Sequence, residues 1–521
     1  MKSGQTQLWV RSLASLEAQP LPGTEGAQVS FWSADSRMLG FFVANQLKTI
    51  DASGGPVQTL CDAAGTSLVR DGAWNRDGVI LFSPSATSSL WRVSANGGEA
   101  TQLTTLDSSR KEGSHRHPSF LPDGRHYVYL NWPSNSIWLG SIDSKEATPL
   151  FPADSRAIYV APGFLLFIRQ NTLVARPFDA AALKVTGEAV PIAEHVRLTL
   201  ANSSLGAFSA SQNGVVAYRS GASATPTQLA WVDRAGRPVG PIGQVGLYRN
   251  PVLSPDGTNL AFEVATGRTS DIWLMELGRA VASRLTFDPA NEIYPVWSPD
   301  GTRIAFASDR QGGAFNVYQK SSNGLGGDEL LLKAEAESAP YDWSRDGRFI
   351  VFRHVAGVFS LGIVPLAGDR KPRVFEPSRS GSAVVQGQVS PDGRWLAYSS
   401  NESGRYETYV QSFPTPGGKW QISKDGGVHP RWRGDSKELF FWAADGRLMA
   451  VPIRGETALE AGAAMPLFLA RMLGGPTTSL GLSQQYDVAS GGQRFLLNVP
   501  TEEAAPSPIV VVLNWTALIK K

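Results

Sequence analysis

Apolar positions along the chain fall into short runs separated by turn residues, the pattern of strands rather than of amphipathic helices. Apolar stretches such as Phe164–Ile168 and Ile509–Leu513 are five residues each, which is strand length and far below a bilayer crossing. One pattern recurs from end to end: an aromatic or apolar residue, two variable positions, Asp, then Gly or Ser, followed by an apolar strand. Trp297-Ser298-Pro299-Asp300-Gly301 before Arg303–Ala307 is a clear copy. The aspartates of the others are Asp35, Asp77, Asp123, Asp256, Asp346, Asp392 and Asp435, with neighbouring copies 42 to 46 residues apart. Pro presets φ, Asp bonds its own backbone and Gly supplies the positive φ that closes a hairpin. Two further strands follow each hairpin, as in Asp271–Glu276 and Ser283–Thr286. Four strands at this period predict propeller blades.

Weaker copies begin near Val160, Phe208 and Tyr486, making eleven motif positions. A larger repeat lies above them. Leu173–Phe178 is echoed by Leu448–Ile453 275 residues on, and Trp9, Trp32 and Trp74 correspond to Trp273, Trp297 and Trp343. The expected architecture is all-β: two tandem propellers of about six four-stranded blades, spanning 1–245 and 246–521, with seven blades in one ring left open. In this register Gln7–Leu13 and Ala18–Pro22 are the third and fourth strands of a blade whose first two strands have no counterpart. The expectation is therefore an incomplete first blade: a fragment of a longer polypeptide, an imperfectly closed ring, or strands contributed from elsewhere.

The Trp-Ser-Pro-Asp-Gly turn and the strands after it resemble the TolB-type, WD40-like β-propeller repeats of bacteria, over nearly the whole chain. Residues 8–26, Ile50-Asp51-Ala52-Ser53-Gly54-Gly55 and Val511-Val512-Leu513-Asn514-Trp515 are similar to the propeller region carried C-terminally by bacterial serine/threonine kinases of acidobacterial type. The resemblance implies a sensor or interaction module joined to a kinase through a membrane span. The kinase motifs themselves are not in this chain: Pro177-Phe178-Asp179 is not an Asp-Phe-Gly magnesium site, and no His-Arg-Asp loop occurs.

Composition narrows the function. Lys+Arg 48 against Asp+Glu 46 leaves +2, so no bulk field favours nucleic acid. A single cysteine, Cys61, excludes an intramolecular disulfide and a Cys-cluster metal site. No apolar run marks a signal peptide or a membrane span, which leaves the compartment open and predicts no membrane insertion of this stretch. Gly-x-Ser-x-Gly, the nucleophile elbow of propeller-bearing hydrolases, does not occur. His115-Arg116-His117 with His126 on one blade could hold zinc, but no Cys or carboxylate pair completes a shell, and no metal or cofactor is expected. His195, His354 and His429 read as solvated or locally bonded. Asp77, Asp123, Asp256, Asp300, Asp346 and Asp392 are assigned to their turns rather than to calcium. Trp32, Trp74, Trp297, Trp343 and Trp432 are assigned to the core rather than to a sugar platform.

Function in propellers gathers at the mouth of the central channel. Counting back three residues from the aromatic position nominates Asn250, Tyr294, Pro340, Gln386, His429 and Ser483 in the second ring, and Asp71 and His117 in the first. Their uncharged mixture suits a protein, a peptide or a small polar ligand; a water-lined channel is the plain alternative. Exchanging Tyr294 and His429 together is expected to abolish a ligand-induced thermal shift without unfolding. The function expected is a non-enzymatic sensor or interaction propeller of a signalling protein, with a free-standing scaffold as the alternative and a propeller-type hydrolase or lyase behind both.

Overall fold

The computed structural model describes residues 6–519 apart from 13, 16, 44, 64–70, 86–87, 111, 199–203, 222–224, 267–268, 312–313, 334–335, 357, 376–381, 416, 456–457, 474–482 and 502–508. Among the described residues the regular structure is strand, save two short 3-10 turns at Ser108–Arg110 and Trp515–Leu518. Contacts divide the chain into two units, Ser3–Ala224 with Ala504–Lys521, and Thr225–Glu503.

In the second unit Tyr248–Leu253, Asn259–Thr266, Thr269–Glu276 and Val281–Arg284 form an antiparallel sheet in chain order. Four more sheets repeat that order, starting at Glu292, Glu337, Val384 and Gly427. The sixth is built from both ends of the unit, in the order Pro238–Gly246, Thr227–Asp233, Arg494–Pro500, Tyr486–Val488. In the first unit, sheets starting at Ser30, Gly72, Ser114 and Ile158 follow the same pattern. A three-stranded sheet then joins Phe208–Ala210, Val215–Arg219 and Ile509–Leu513, and Trp9–Val10 pairs only with Gln19–Pro20 among the described residues. Many four-stranded antiparallel sheets in sequence are what propeller blades require.

This arrangement moves the expected boundary at 245/246. Thr227–Asp233 and Pro238–Gly246 complete the second unit rather than the first, because Thr227–Asp233 pairs with Arg494–Pro500 at every position and buries Leu229 against Leu496. The place left in the first unit is taken by Ile509–Leu513, which pairs along the whole of Val215–Arg219. Behind it Trp515 is fully buried with Val216 and Phe208 of that same sheet and meets Phe164 of the neighbouring one edge-on at 5.5 Å. The two strands expected for the first blade do form, with Trp9 opposite Pro20.

The cores are wedges between successive sheets. Ala261, Ile272 and Leu285 of one pack on Trp297, Ile304 and Phe306 of the next. Trp297 donates Nε1–H to the carbonyl of Val252 at 3.0 Å, and Trp432 does the same to Gln388 at 3.2 Å. Each ring therefore lies over the first strand of the preceding sheet. Trp297, Trp343 and Trp432 are buried, but Trp32 is 48% exposed, against the expectation of a core residue. The sheet before it, Trp9–Val10 with Gln19–Pro20, has no first strand among the described residues for the indole to cover.

The turn behaves as its residues require. Ser298 donates its hydroxyl to Asp300 at 2.5 Å and accepts the amide of Arg303 at 2.9 Å, while Asp300 accepts the amide of Thr302 at 3.0 Å. Gly301 sits at φ +71°. The same bonds recur around Asp256, Asp346 and Asp392. Before Asp77 an asparagine replaces the serine, and Asn75 Oδ1 accepts the amides of Asp77 and Val79. Asp123 also holds the ring of His126, at 2.5 Å.

Candidate functional site

The first strands of the second unit carry a β-bulge at one repeated place. Register breaks between Arg249 and Val252, Ile293 and Val296, Val385 and Gln388, and Val428 and Arg431. The residue after each break stands in the left-handed region: Asn250 at φ 48°, Tyr294 at 56°, Gln386 at 62° and His429 at 56°. A bulge re-aims the side chain it carries, and these four are the residues that counting back from the turn nominated. Proline cannot adopt positive φ, so the break at Pro340 is shorter, ending at Asp342. In the first unit His117 repeats the geometry at φ 53°, with a break between Arg116 and Ser119.

The four side chains converge on a narrow cavity together with Pro340, Tyr341, Arg431 and Gln484. Its volume, about 20 Å³, has room for roughly one water. Ser483 does not line the cavity itself; its side chain hydrogen-bonds Tyr294, and its carbonyl accepts from Gln485 at 3.2 Å. Gln484 takes the place, because Tyr486–Val488 has no bulge to lengthen the offset. Asn250 and Gln484 are joined by reciprocal backbone and amide bonds of 3.2 and 2.6 Å.

The polar groups around the cavity bond to one another across sheets. Glu263, buried, accepts the amide of Tyr294 at 2.6 Å and a short bond from Asn250. Gln386 Oε1 accepts the hydroxyl of Ser399 and the amide of His429, both at 2.8 Å. That fixes its Nε2 toward His429 Nε2, at 3.2 Å, where the imidazole must be the acceptor. Arg353 lies over the ring of Tyr294, donates to its hydroxyl at 3.2 Å and pairs with Glu337. Deeper in, Asp342 accepts the amide of Val389 at 2.7 Å, Gln388 that of Trp432 at 2.9 Å, and Asp487 that of Leu253 at 2.8 Å. Burial pushes the carboxyl of Asp342 up to about 7 and raises Glu263 and Asp487. Burial also drives His429 down to about 3, with Arg431 adding to the effect. The reading of His429 as solvated or locally bonded is corrected in its first half: the residue is 1% exposed.

In the first unit Asp71 receives His117 Nδ1 at 3.1 Å and Arg156 Nη1 at 3.0 Å, while Arg156 Nη2 reaches the carbonyl of Phe208 at 2.9 Å. Burial alone would raise Asp71; Arg156 and His117 outweigh it and hold the carboxyl below its usual range. Arg156 was not nominated from sequence, since it precedes the weak motif at Val160 and its partner Asp71 lies 85 residues away. The histidines weighed as zinc ligands are each engaged otherwise: His115 with Glu112 and Thr104, His117 with Asp71, His126 with Asp123.

Both units thus hold a polar network that ties one sheet to the next, and their successive four-stranded antiparallel sheets are consistent with the blades of a β-propeller repeat protein. The comparisons give the repeat its type. Residues 243–376 match the family model of the TolB beta propeller domain, PD40. The Tol-Pal system protein TolB of Anaeromyxobacter dehalogenans is 41% identical over 88 residues, 16% of this chain and 18% of that protein. The Bacillus subtilis protein named "Uncharacterized peptidase YuxL" is 27% identical over 197 residues, 29% of each chain. The chain thus spans under a third of the length of these curated relatives. The crystal structure of TolB from Acinetobacter baumannii aligns with a TM-score of 0.34 at 12% identity, over 76% of this chain and 84% of that one. The chain carries TolB-like PD40 β-propeller repeats.

Proposed function

We infer that the chain forms two six-bladed propellers, each completed by strands from distant parts of the sequence, and that they serve as a non-enzymatic docking scaffold for protein or peptide. The observation that carries the reading is the centre of the second unit. Its cavity of about 20 Å³ is too small for a ligand, and the side chains that could have recognised one are bonded to other sheets. Recognition then falls to the loops and rims, where TolB-type repeats leave side chains exposed. The similarity of residues 8–26 and 511–515 to kinase-borne propellers supports a place in a signalling protein.

Peptide arrays probed with the whole chain, followed by titration of the hits, test the proposal. Micromolar peptide binding that survives exchange of Tyr294→Phe with His429→Asn supports rim docking. A thermal shift by a small polar metabolite that vanishes in the same double variant restores the channel as the site. The name of the Bacillus relative supports a second reading, a propeller serving peptidase chemistry; hydrolysis of fluorogenic peptides by this chain, lost in His117→Ala or His429→Ala, would favour it.

A further inference from the structure

A second cavity, of about 370 Å³, lies in the first unit against the sheet that starts at Ser114. It is lined by Thr104, Thr105, Arg110, His115, Tyr129 and the strand segment 145–148. This is near the lower end of the range that takes a whole small molecule, and it stands well apart in size from the central cavity of the second unit.

Its floor is built. His115 and Tyr129 are each 2% exposed, with rings 4.7 Å apart. The hydroxyl of Thr104 accepts the amide of Leu90 at 2.9 Å and lies 2.8 Å from His115 Nδ1, to which it donates because the other ring nitrogen faces a carboxylate. The imidazole then carries its proton on Nε2 and donates to Glu112 at 3.1 Å. Glu112 also holds Arg110 Nε at 3.0 Å, and the guanidinium rests over the ring of Trp138 at 4.9 Å. The outer nitrogens of Arg110 are left with no partner among the described residues. Lys145 and Glu146 arrive at the wall through a break in register between Gly140 and Ser141, which puts them outside the ladder of their own strand.

Two facts point to a ligand and to its class. Tyr129 is almost wholly buried, yet its hydroxyl makes no hydrogen bond to a described residue and is not among the sealed-off polar atoms, so it opens onto the cavity as a free donor and acceptor. The lining also carries both signs of charge, Arg110 and Lys145 together with Glu146, and the threonines Thr104, Thr105 and Thr148. A small anion or cation would meet a like charge; a molecule with paired donors and acceptors on every side would not. We propose that this cavity is a carbohydrate-binding site for a single sugar residue, with Tyr129, Arg110, Lys145 and Glu146 as its hydrogen-bonding groups. The site is independent of the rim docking proposed above.

Saturation-transfer NMR and calorimetry on the whole chain, with D-glucose, D-galactose and N-acetyl-D-glucosamine as probes, test it. The expected result is binding of at least one sugar with Kd on the order of 1 mM. Tyr129→Phe and Glu146→Gln should each weaken it roughly fivefold, the effect of one hydrogen bond. Because the Tyr129 hydroxyl bonds to no described residue, Tyr129→Phe should leave Tm unchanged, which separates loss of binding from loss of fold. No binding of any probe, binding unaltered in both variants, or inorganic phosphate binding as well as the sugars would each overturn the proposal.

Discussion

At the scale of single residues the second unit hides ionisable groups whose titration has opposite signs. Asp342 keeps its proton to about pH 7 because it is buried, whereas in the unfolded chain it loses it near the ordinary carboxyl value of about 4. Its contribution is therefore present at low pH and is lost as pH rises through that window. Asp342→Asn keeps the acceptor for the Val389 amide and has no proton to lose. Its stability relative to the natural chain should grow with pH by up to about 1.4 kcal/mol per unit between roughly pH 4 and 7, then level off. Urea midpoints measured across that range check it; parallel curves would show that Asp342 is ionised in the folded state. His429 runs the other way. With its folded value near 3, its contribution is present above about pH 6.5 and is lost as pH falls, since the unfolded chain takes up a proton the buried ring refuses. His429→Asn, a residue that tolerates left-handed φ, should flatten the acid side of the stability profile. A profile still as steep below pH 6 in this variant would move the assignment elsewhere. The turn aspartates were legible in sequence because their partners lie within a few residues, as Ser298 and Thr302 do for Asp300. Glu263, Asp342 and Arg156 were not, because their partners stand 31, 47 and 85 residues away and only the packing of sheet on sheet brings them together.

At the scale of elements the repeat fixes more than strands. Counting from the turn located the bulged residues Asn250, Tyr294, Gln386 and His429, since sheet after sheet spends the same number of residues between bulge and turn. Where Tyr486–Val488 is three residues long the count reached Ser483, which touches the cavity through Tyr294, one residue short of the lining Gln484, and it could not foresee that nominated side chains are consumed in bonds between sheets. Periodicity reports which face a residue takes; it does not report what the neighbouring sheet offers. The same limit explains Trp32, assigned to the core by position and exposed where the sheet before it has no first strand among the described residues. It also sets the weight of Trp515, which seals Ile509–Leu513 onto the sheet of Val215–Arg219 from within the wedge. Trp515→Ala should cost about 3–5 kcal/mol, the usual range for emptying a large aromatic site. The loss should register in the first unit, so near-ultraviolet circular dichroism should show a lowered early transition with a later one in place. A single unchanged melt would mean that the C-terminal strand contributes little to that unit.

At the scale of the whole chain the decisive feature is which strands complete which sheet. Read as a repeat, the sequence divides evenly near residue 245, because the motif spacing carries no record of a strand that returns from the far end. The hydrogen bonds divide it otherwise. Thr227–Asp233 lies between Pro238–Gly246 and Arg494–Pro500, so a chain starting at 246 would strip two strands from its last sheet and expose Leu496 and Leu497, which are buried there. Residues 225–503 contain every strand of that unit in one continuous stretch. Expressed alone, 225–503 should melt cooperatively and resist trypsin. The piece 246–521 should bind a hydrophobic dye and be cut within its last sheet, since its open edge and uncovered leucines have lost their partners. Equal resistance of the two pieces would mean that Thr227–Gly246 is dispensable and that the unit closes without it. The first unit makes the converse demand: 1–245 lacks Ile509–Leu513 and carries two strands that belong elsewhere. Adding residues 504–521 back in trans should raise its melting temperature, because the only material it is then missing from its three-stranded sheet is the strand with which Val215–Arg219 pairs at all five positions.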